Sequence, residues 1–271
     1  MLHELWIYKV WIMIVYPCAK INIGLKITGK RSDGYHDLET FFFPVELTDI
    51  LEVVEAEETI LYVYGKKPDC SMEDNLCYKA YQLLKRDFNL PPVEIHLFKR
   101  IPYGAGLGGG SSDGSNMLIA LNKLFNLGLT DHQLCKYASK LGSDCPFFIY
   151  ASKLNSKAGE GIYAEGRGDI LTPMIIPDLA NHKIRLDFSD IYVSTAEAYA
   201  GLNPTRQTES LKKLLGYPIS EWSKRIINDF EEPVFNKYPV LAEKKQKFYE
   251  EGAVYASMSG SGSAIYGIFA T

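Results

Sequence analysis

The chain has 271 residues, of which 46% are hydrophobic and 23% charged, and this composition is typical of a globular protein with a full core. Its length suits one large domain or two small ones. The net charge of −4, without a cluster of lysine and arginine, argues against nucleic acid as the main partner.

The cysteines and the N-terminal segment indicate the compartment. Five cysteines are scattered without a Cys-x-x-Cys pair, which fits reduced thiols better than disulfides or a zinc site. Residues 1–12 are apolar and aromatic, but they carry Glu4 and Lys9, lack a small-residue cleavage site and are too short to span a bilayer. We therefore expect a cytoplasmic protein without a membrane partner, in which residues 1–12 form an extension ahead of a natural start at Met13.

Strands dominate the beginning of the chain. Residues 14–27 alternate with period two. Lys20 and Asn22 lie on one face, and the opposite face is apolar and consists of Val15, Ala19, Ile21, Ile23 and Leu25. Further strands, rich in aromatic and β-branched residues, are predicted at 38–46, 50–56 and 60–64.

Helices follow in the next hundred residues. Residues 75–88 carry an amphipathic apolar stripe, and after a strand at 93–98 comes a glycine-rich loop that opens an apolar helix. The capping box from Thr130 to Gln133 predicts a helix through Leu141. Gly142 ends this helix, and Ser143-Asp144-Cys145-Pro146 opens another short segment.

The remainder alternates strand and helix after a strand at 170–176. Elements are expected at 183–188, 195–201, 208–216, 220–229, 239–251 and 264–269. Two prolines and a polar stretch place a domain seam at 172–182. Because strands come first and helices after, the sequence indicates an α+β fold and not a doubly wound parallel sheet.

Residues 102–115 are the most informative segment, since six of these fourteen residues are glycine. Fixing glycines costs conformational entropy. A glycine loop that opens a helix leaves unpaired N–H groups at the positive end of the helix dipole, which is a phosphate site. A flexible surface loop is the alternative, but such loops seldom contain a residue like Leu107 or continue into an apolar helix.

Two common phosphate loops fit poorly. Gly104-x-Gly106-x-x-Gly109 matches the dinucleotide fingerprint in form, but that fingerprint needs a strand running directly into the loop and a ribose-binding acid on the next strand. Here residues 99–102 intervene, and the acid at a suitable distance, Asp131, belongs to a helix cap. The P-loop pattern fails because no Gly-Lys-Ser/Thr follows the glycines.

The segment resembles instead the Pro-x-Gly-x-Gly-Leu-Gly-Ser-Ser phosphate loop of the GHMP kinase superfamily. Pro17-Cys-Ala-Lys20-Ile-Asn22 near the start and the stretch Ser257 to Gly267 near the end match the other two motifs of that superfamily, in the right order. From Met13 onward the chain is most similar to the branch that acts on a cytidyl derivative of methylerythritol. The discriminating segments are Ala19–Asn22, Arg31–His36, Asp74–Leu76, Gly108–Ser112, Leu141–Phe148 and Ala164–Asp169.

The resemblance implies a two-domain α+β fold. Residues 13–171 would form a ribosomal-protein-S5-like ATP domain, and residues 172–271 a ferredoxin-like substrate domain. It also implies ATP-dependent phosphorylation of the 2-hydroxyl of 4-diphosphocytidyl-2-C-methyl-D-erythritol, in the non-mevalonate route to isoprenoid precursors. The partner would be this small molecule, and the chain would be a monomer or weak homodimer.

Two residues are predicted to be catalytic. Asp144 follows a helix-ending glycine and precedes Pro146, so local sequence fits an N-cap aspartate and a catalytic carboxylate equally well. Lys20 read alone is an ordinary solvated lysine. The resemblance implies that Asp144 is the general base or orients the hydroxyl, and that Lys20 holds it ionised and offsets developing charge.

The remaining site residues also come from the resemblance. Tyr35, His36 and Tyr199, which would otherwise be packing residues, are expected around the cytosine ring. Asn22, Gly260 and Ser261 would bind the substrate, although the second glycine segment also reads as a tight turn. The expected ATP residues are Asn75, Leu76, Lys99, Pro102, Tyr103, Gly104, Ala105, Gly106, Leu107, Gly108, Gly109, Gly110, Ser111 and Ser112. Mg²⁺ is expected on the phosphates, without an acidic cluster to identify its ligands.

Two segments depart from the pattern of the family. Tyr150 to Glu160 is longer than expected and reads as a surface insertion, and Ile184 to Val193 lacks a Lys-Pro pair. Two alternative functions stay open at this point. One is another superfamily enzyme, of the mevalonate, homoserine or galactose kinase type, and the other is an inactive relative that senses a sugar or nucleotide.

Overall fold

The computed structural model describes residues 11–66, 70–202 and 209–271. Residues 1–10 of the predicted extension, and residue 208 of the helix predicted at 208–216, lie outside the described residues. The strands are β1 (Ile12–Val15), β2 (Cys18–Lys30), β3 (His36–Thr48), β4 (Ile50–Glu55), β5 (Ile60–Gly65), β6 (Val93–Lys99), β7 (Glu160–Glu165), β8 (Ile170–Ile175), β9 (His182–Asp187), β10 (Tyr255–Met258) and β11 (Ile265–Ala270).

Helices lie between and after these strands. They are α1 (Leu76–Phe88), α2 (Gly109–Leu124), α3 (Asp131–Ala138), α4 (Cys145–Ala151), α5 (Thr195–Ala200), α6 (Leu211–Leu214), α7 (Ile219–Arg225), α8 (Glu231–Lys237) and α9 (Pro239–Glu250). Thr130 and Gln133 form the predicted capping box of α3. Strands β7 and β10 and helix α8 were not predicted, because each is short and carries no clear period.

The first sheet has the strand order β1-β4-β6-β5. Alternate residues of β4 and β6, such as Leu51 and Ile95, are fully buried against α1 and α2. On the helices, Leu84 and Met117 are buried in the same cluster. Burying each such side chain contributes about 1.5–3 kcal/mol, so this contact fixes α2 on the sheet.

The second sheet has the order β2-β3-β7-β8 and is antiparallel throughout. The prediction of one strand over residues 14–27 was wrong, because the chain leaves β1 in the first sheet at Tyr16-Pro17 and enters the second at Cys18. Proline has no N–H for a ladder, so a strand is readily interrupted there. The predicted seam at 172–182 contains the end of β8, a 3₁₀ turn at Pro177–Asn181 and the start of β9.

The third sheet, β10-β11-β9, carries α9 on one face. The segment between α7 and α8 is joined to β2 by backbone hydrogen bonds, since Leu25 N donates to Ile227 O (3.1 Å) and Asp229 N donates to Leu25 O (2.8 Å). A buried cluster contains residues of the second and third sheets together, including Ile21 and Tyr266. The two halves of the chain therefore share a core, and the domain limits at 171/172 stay a prediction.

Candidate active site

The phosphate loop, residues 102–108, owes its shape to glycine. Gly104, Gly106 and Gly108 all have φ between +64° and +73°, a region that other residues rarely adopt. A Cβ on Gly106 would lie 1.9 Å from the carbonyl oxygen of Ser259. The loop therefore needs glycine both for its backbone conformation and for its contact with the second half of the chain.

Helix α2 begins where this loop ends. Gly108 is its N-cap and supplies no side-chain hydrogen bond, and the first turn holds no acidic residue. Amide N–H groups of the first turn have no partner within their own helix and lie at the positive end of its dipole. This sixteen-residue helix is thus suited to bind an anion at its start.

The second glycine segment, residues 259–262, lies against the first. Ala264 N donates to Ala105 O (3.1 Å) and Ser259 Oγ donates to Gly106 O (2.8 Å). The buried Asn228 side chain donates to Gly260 O at 2.7 Å and so fixes this turn from below. Two backbone turns that are distant in sequence therefore form one wall.

Lys20 is buried at the centre of this arrangement. Its Nζ donates to Asn22 Oδ1 and to Gly106 O (3.0 Å), and it lies 3.8 Å from Asp144 Oδ2. Burial lowers the pKa of Lys20, and the charge of Asp144 opposes that effect. The ordinary solvated lysine considered above is excluded, because this ammonium joins the phosphate loop to a carboxylate.

Asp144 occupies the N-cap position of α4, yet its side chain makes no capping hydrogen bond. About a third of the carboxylate (36%) remains exposed. Its oxygens lie 3.8 Å from Lys20 Nζ and 3.4 Å from Ser143 Oγ. A carboxylate that is fixed by its backbone but not used as a cap is available to a bound ligand.

A cavity of about 480 Å³ lies between these groups. Its lining contains both predicted catalytic residues, Lys20 and Asp144. The other predicted residues in the lining are Asn22, Leu76, Lys99, Pro102, Tyr103, Gly104, Ala105, Gly106, Leu107, Gly108, Gly109, Gly110, Ser111, Tyr199, Gly260 and Ser261. Sixteen predicted residues, from motifs spread over the whole chain, thus line one cavity together with the two predicted catalytic residues.

Four predicted residues are not among those that line the cavity. Asn75 is the N-cap of α1 and accepts a hydrogen bond from Cys77 N at 2.9 Å. Ser112 is fully buried one turn into α2. His36 is the first residue of β3, Tyr35 directly precedes it, and neither lines the cavity. Their predicted roles in binding stay predictions.

The aromatic residues expected around cytosine are close together. The rings of His36 and Tyr199 are stacked with centroids 4.8 Å apart, and Phe230 packs edge-on against Tyr199 at 4.8 Å. Tyr35 is 59% exposed, and the Arg167 guanidinium lies 5.2 Å from its ring centroid. The imidazole of His36 therefore covers one face of the Tyr199 ring, and a base can stack on that face only after the imidazole moves.

Several lining residues were missed from sequence. Thr40 and Phe42 come from β3, where Phe42 pairs with Asn22 and its ring lies 5.2 Å from Lys20 Nζ. Arg167 lies within the segment Ala164–Asp169, but at a position that the family pattern leaves variable, so it was not selected. Tyr192 packs against Gly104, where a Cβ would lie 2.4 Å from the ring, and it stacks parallel to Tyr103. Only the strand register or the tertiary fold reveals these contacts.

Neither a metal cluster nor a membrane helix is found in the described part of the chain. Residues 11–66, 70–202 and 209–271 contain no group of three His, Cys, Asp or Glu that could hold a metal ion. Asp144 is the carboxylate that the cavity lining offers. Among the described helices, none has the length and hydropathy needed to cross a bilayer.

Comparison with known proteins gives one consistent result. Residues 75–152 match the GHMP kinases N terminal domain, and residues 209–271 match the GHMP kinases C terminal family. A 4-diphosphocytidyl-2-C-methyl-D-erythritol kinase of Azobacteroides pseudotrichonymphae genomovar. CFP2 is 49% identical, over 95% of this chain and 93% of the relative. The enzyme of that name from Bacteroides thetaiotaomicron is 48% identical, over 95% and 92%.

A solved structure agrees with these relatives. The crystal structure of a 4-(cytidine 5'-diphospho)-2C-methyl-D-erythritol kinase superposes with a TM-score of 0.76 and 33% identity, covering 94% of this chain and 90% of that one. The predicted α+β two-domain fold is confirmed. The phosphate loop, the Lys20–Asp144 pair and these relatives together show that the chain belongs to the GHMP kinases, in the family of the 4-diphosphocytidyl-2-C-methyl-D-erythritol kinases.

Proposed function

We propose that the chain transfers the γ-phosphoryl group of ATP to the 2-hydroxyl of 4-diphosphocytidyl-2-C-methyl-D-erythritol, with Lys20 and Asp144 at the reacting centre. The observation that carries this proposal is the contact of Lys20 Nζ with both the phosphate loop, through Gly106 O (3.0 Å), and Asp144 (3.8 Å). One cation thus lies between the group suited to hold the donor and the group suited to orient the acceptor.

Asp144 accepts the proton of the acceptor hydroxyl while the hydroxyl oxygen bonds to the γ-phosphorus. The bond from that phosphorus to the β,γ-bridging oxygen breaks, and ADP leaves. Lys20 offsets negative charge on the transferred group, which is the main task that phosphoryl transfer sets a protein. Its buried position supports this role, because charges attract more strongly away from water.

The triphosphate fits the start of α2. Amides of the first helical turn and of the positive-φ glycines form a cradle without a side-chain cap or an acidic residue. Mg²⁺ fits this site if phosphate oxygens and water supply most of its ligands, as they commonly do, with Asp144 nearby. When bound, it would neutralise phosphate charge.

The cytidyl group fits the side of the cavity that Tyr199 lines. Tyr199 is held edge-on by Phe230, so its ring is already oriented. Arg167 lines the same cavity and is partly exposed, whereas Lys20 and Lys99 are engaged by buried partners. This supports Arg167 as a further cation near the substrate diphosphate.

ADP release by the intact chain tests the function. With ATP and Mg²⁺, we expect turnover with the cytidyl substrate and none above background with mevalonate. Turnover with mevalonate instead would identify another enzyme of the superfamily. ATP binding without turnover of either compound would favour the inactive relative.

Tyr199→Ala tests the substrate side. Stacking on an aromatic ring is worth about 1–3 kcal/mol per base, so we expect KM for the cytidyl substrate to rise about tenfold, while KM for ATP stays the same. Tyr137→Ala, which removes a partly buried tyrosine of α3 that does not line the cavity, is the matched control. An unchanged KM in Tyr199→Ala would refute stacking on this ring.

A further inference from the structure

A buried charge cluster lies beneath the phosphate loop and has no part in the chemistry proposed above. It consists of Asp49, Lys99 and Asp113, whose side chains are at most 4% exposed. The Lys99 ammonium contacts Asp49 Oδ2 and lies 2.6 Å from Asp113 Oδ2. Lys99 is one of the residues predicted to bind ATP, so the contacts of its side chain bear on ATP binding.

The cluster holds the segment that enters the phosphate loop. Asp49 Oδ1 accepts hydrogen bonds from the N–H groups of Arg100 (2.5 Å) and Ile101 (2.8 Å). These two residues directly precede Pro102, where the loop begins. The carboxylate therefore binds the chain at the point where it leaves β6.

The same cluster holds the segment that leaves the loop. Asp113 lies in the second turn of α2, and its carboxylate contacts Lys99. A Cβ on Gly109, the first residue of α2, would lie 3.3 Å from Lys99 Nζ. The ammonium is therefore packed directly against the start of the helix.

Two carboxyl groups and one ammonium leave an excess negative charge if both carboxyl groups are ionised. Burying such a charge is costly. Among the described residues, Asp113 Oδ1 has no hydrogen-bond partner. Burial raises the pKa of Asp113 well above its usual range; Lys99 opposes this effect and Asp49 adds to it. The buried Cys77 thiol of α1 also faces the cluster.

We propose that Asp49, Lys99 and Asp113 are positioning residues that clamp both ends of the phosphate loop, with Asp113 protonated, so that the loop is already in the conformation that receives the triphosphate. This inference rests on ATP being the phosphoryl donor. None of the three groups touches the reacting atoms. Their effect on ATP is exerted through Ile101 and Gly109.

Lys99→Met tests the clamp. We expect KM for ATP, and the Kd for ATP measured by calorimetry without the acceptor, to rise about tenfold or more, equivalent to about 1.4 kcal/mol. KM for the cytidyl substrate should not change. If Lys99→Met does not fold, Asp49→Asn gives the same test, because it removes the charge that Lys99 contacts but keeps the shape.

Asp113 offers a conservative rescue. Asp113→Leu cannot bind Lys99 and is expected to lose ATP affinity as Lys99→Met does. Asp113→Asn has the shape and charge of the protonated acid, so it should recover most of that affinity. The matched control is Lys244→Met, which removes a partly buried ammonium that pairs with Asp187 at 2.5 Å, away from the loop.

Two results would overturn the proposal. One is an unchanged Kd for ATP in folded Lys99→Met or Asp49→Asn, because the cluster would then act on stability alone. The other is equal loss of ATP affinity in Asp113→Asn and Asp113→Leu, because ionised Asp113 would then be required. ATP binding is measured here without the acceptor, so failure of the proposed reaction would not be mistaken for failure of the clamp.

Discussion

Lys20 and Asp144 are two ordinary side chains that the fold brings together as the proposed reacting pair. A buried ammonium without partners would lose its proton readily, whereas here Asn22 Oδ1, Gly106 O and Asp144 all face it. Burial nevertheless leaves the pKa of Lys20 below that of a free lysine. Three protein oxygens thus take the place of water around this ammonium, which suits a group that must meet a phosphoryl anion.

Asp144→Asn separates the role of the carboxylate from its shape. The amide cannot accept the hydroxyl proton, so kcat should fall by about 10²–10⁴, the usual contribution of a positioned base. KM for ATP should not change, because the polar contacts of Asp144 are with Lys20 and Ser143 and not with the phosphate loop. Asp131→Asn, at an exposed carboxylate paired with Lys153, serves as the control. Steady-state kinetics with near-normal kcat in Asp144→Asn would remove this residue from the mechanism.

At this scale, sequence predicted the residues that stand in short motifs and missed those that depend on register. Lys20, Asn22 and Asp144 could be identified because each belongs to a segment with its own pattern. Thr40 and Phe42 enter the cavity because β3 pairs with β2, and nothing in their local sequence indicates that pairing. The buried charge cluster was likewise missed, since Asp49 is 50 residues from Lys99.

The phosphate loop shows why an element can be predicted when its backbone is unusual. Gly106 is held between Lys20, which binds its carbonyl oxygen, and the Ser259 carbonyl, which leaves no space for a Cβ. Such constraints require glycine, so the sequence of the loop itself indicates its conformation. Strands β7 and β10 make no comparable demand on residue type, so they were found only in the structure.

Gly106→Ala tests how far the site depends on this approach. An alanine here must adopt a left-handed backbone, at about 1–2 kcal/mol, and must also move the Ser259 carbonyl from 1.9 Å. Displacing the loop by about 1 Å should lower kcat/KM for ATP by about 10²-fold. Gly29→Ala, with negative φ and no atom within 4 Å of the new Cβ, is the control. Normal kinetics in Gly106→Ala would show that the two glycine segments can separate without loss.

The N-terminal and C-terminal halves of the chain are joined beside the candidate active site. Asp229 accepts a hydrogen bond from Ile27 N (2.7 Å), and Tyr266 OH donates to Asn22 O (2.8 Å), so the second half of the chain holds β2 at two points that follow Lys20. Composition and element order predicted two units and an α+β fold. They could not predict this joint, because each of these hydrogen bonds joins a side chain to a backbone group that is 202 or 244 residues away in the sequence.

The buried charge cluster also makes stability depend on pH in a defined direction. Burial raises the pKa of Asp113 in the folded chain, whereas the pKa of an aspartate in an unfolded chain is about 3.9. Between these two pKa values the folded chain binds more protons than the unfolded chain, so the free energy of unfolding falls as pH rises. Asp113→Asn cannot titrate, so the wild type should lose up to about 1.4 kcal/mol per pH unit relative to it in that window. Urea unfolding of both proteins at several pH values measures this difference, and parallel curves would show that Asp113 is ionised in both states.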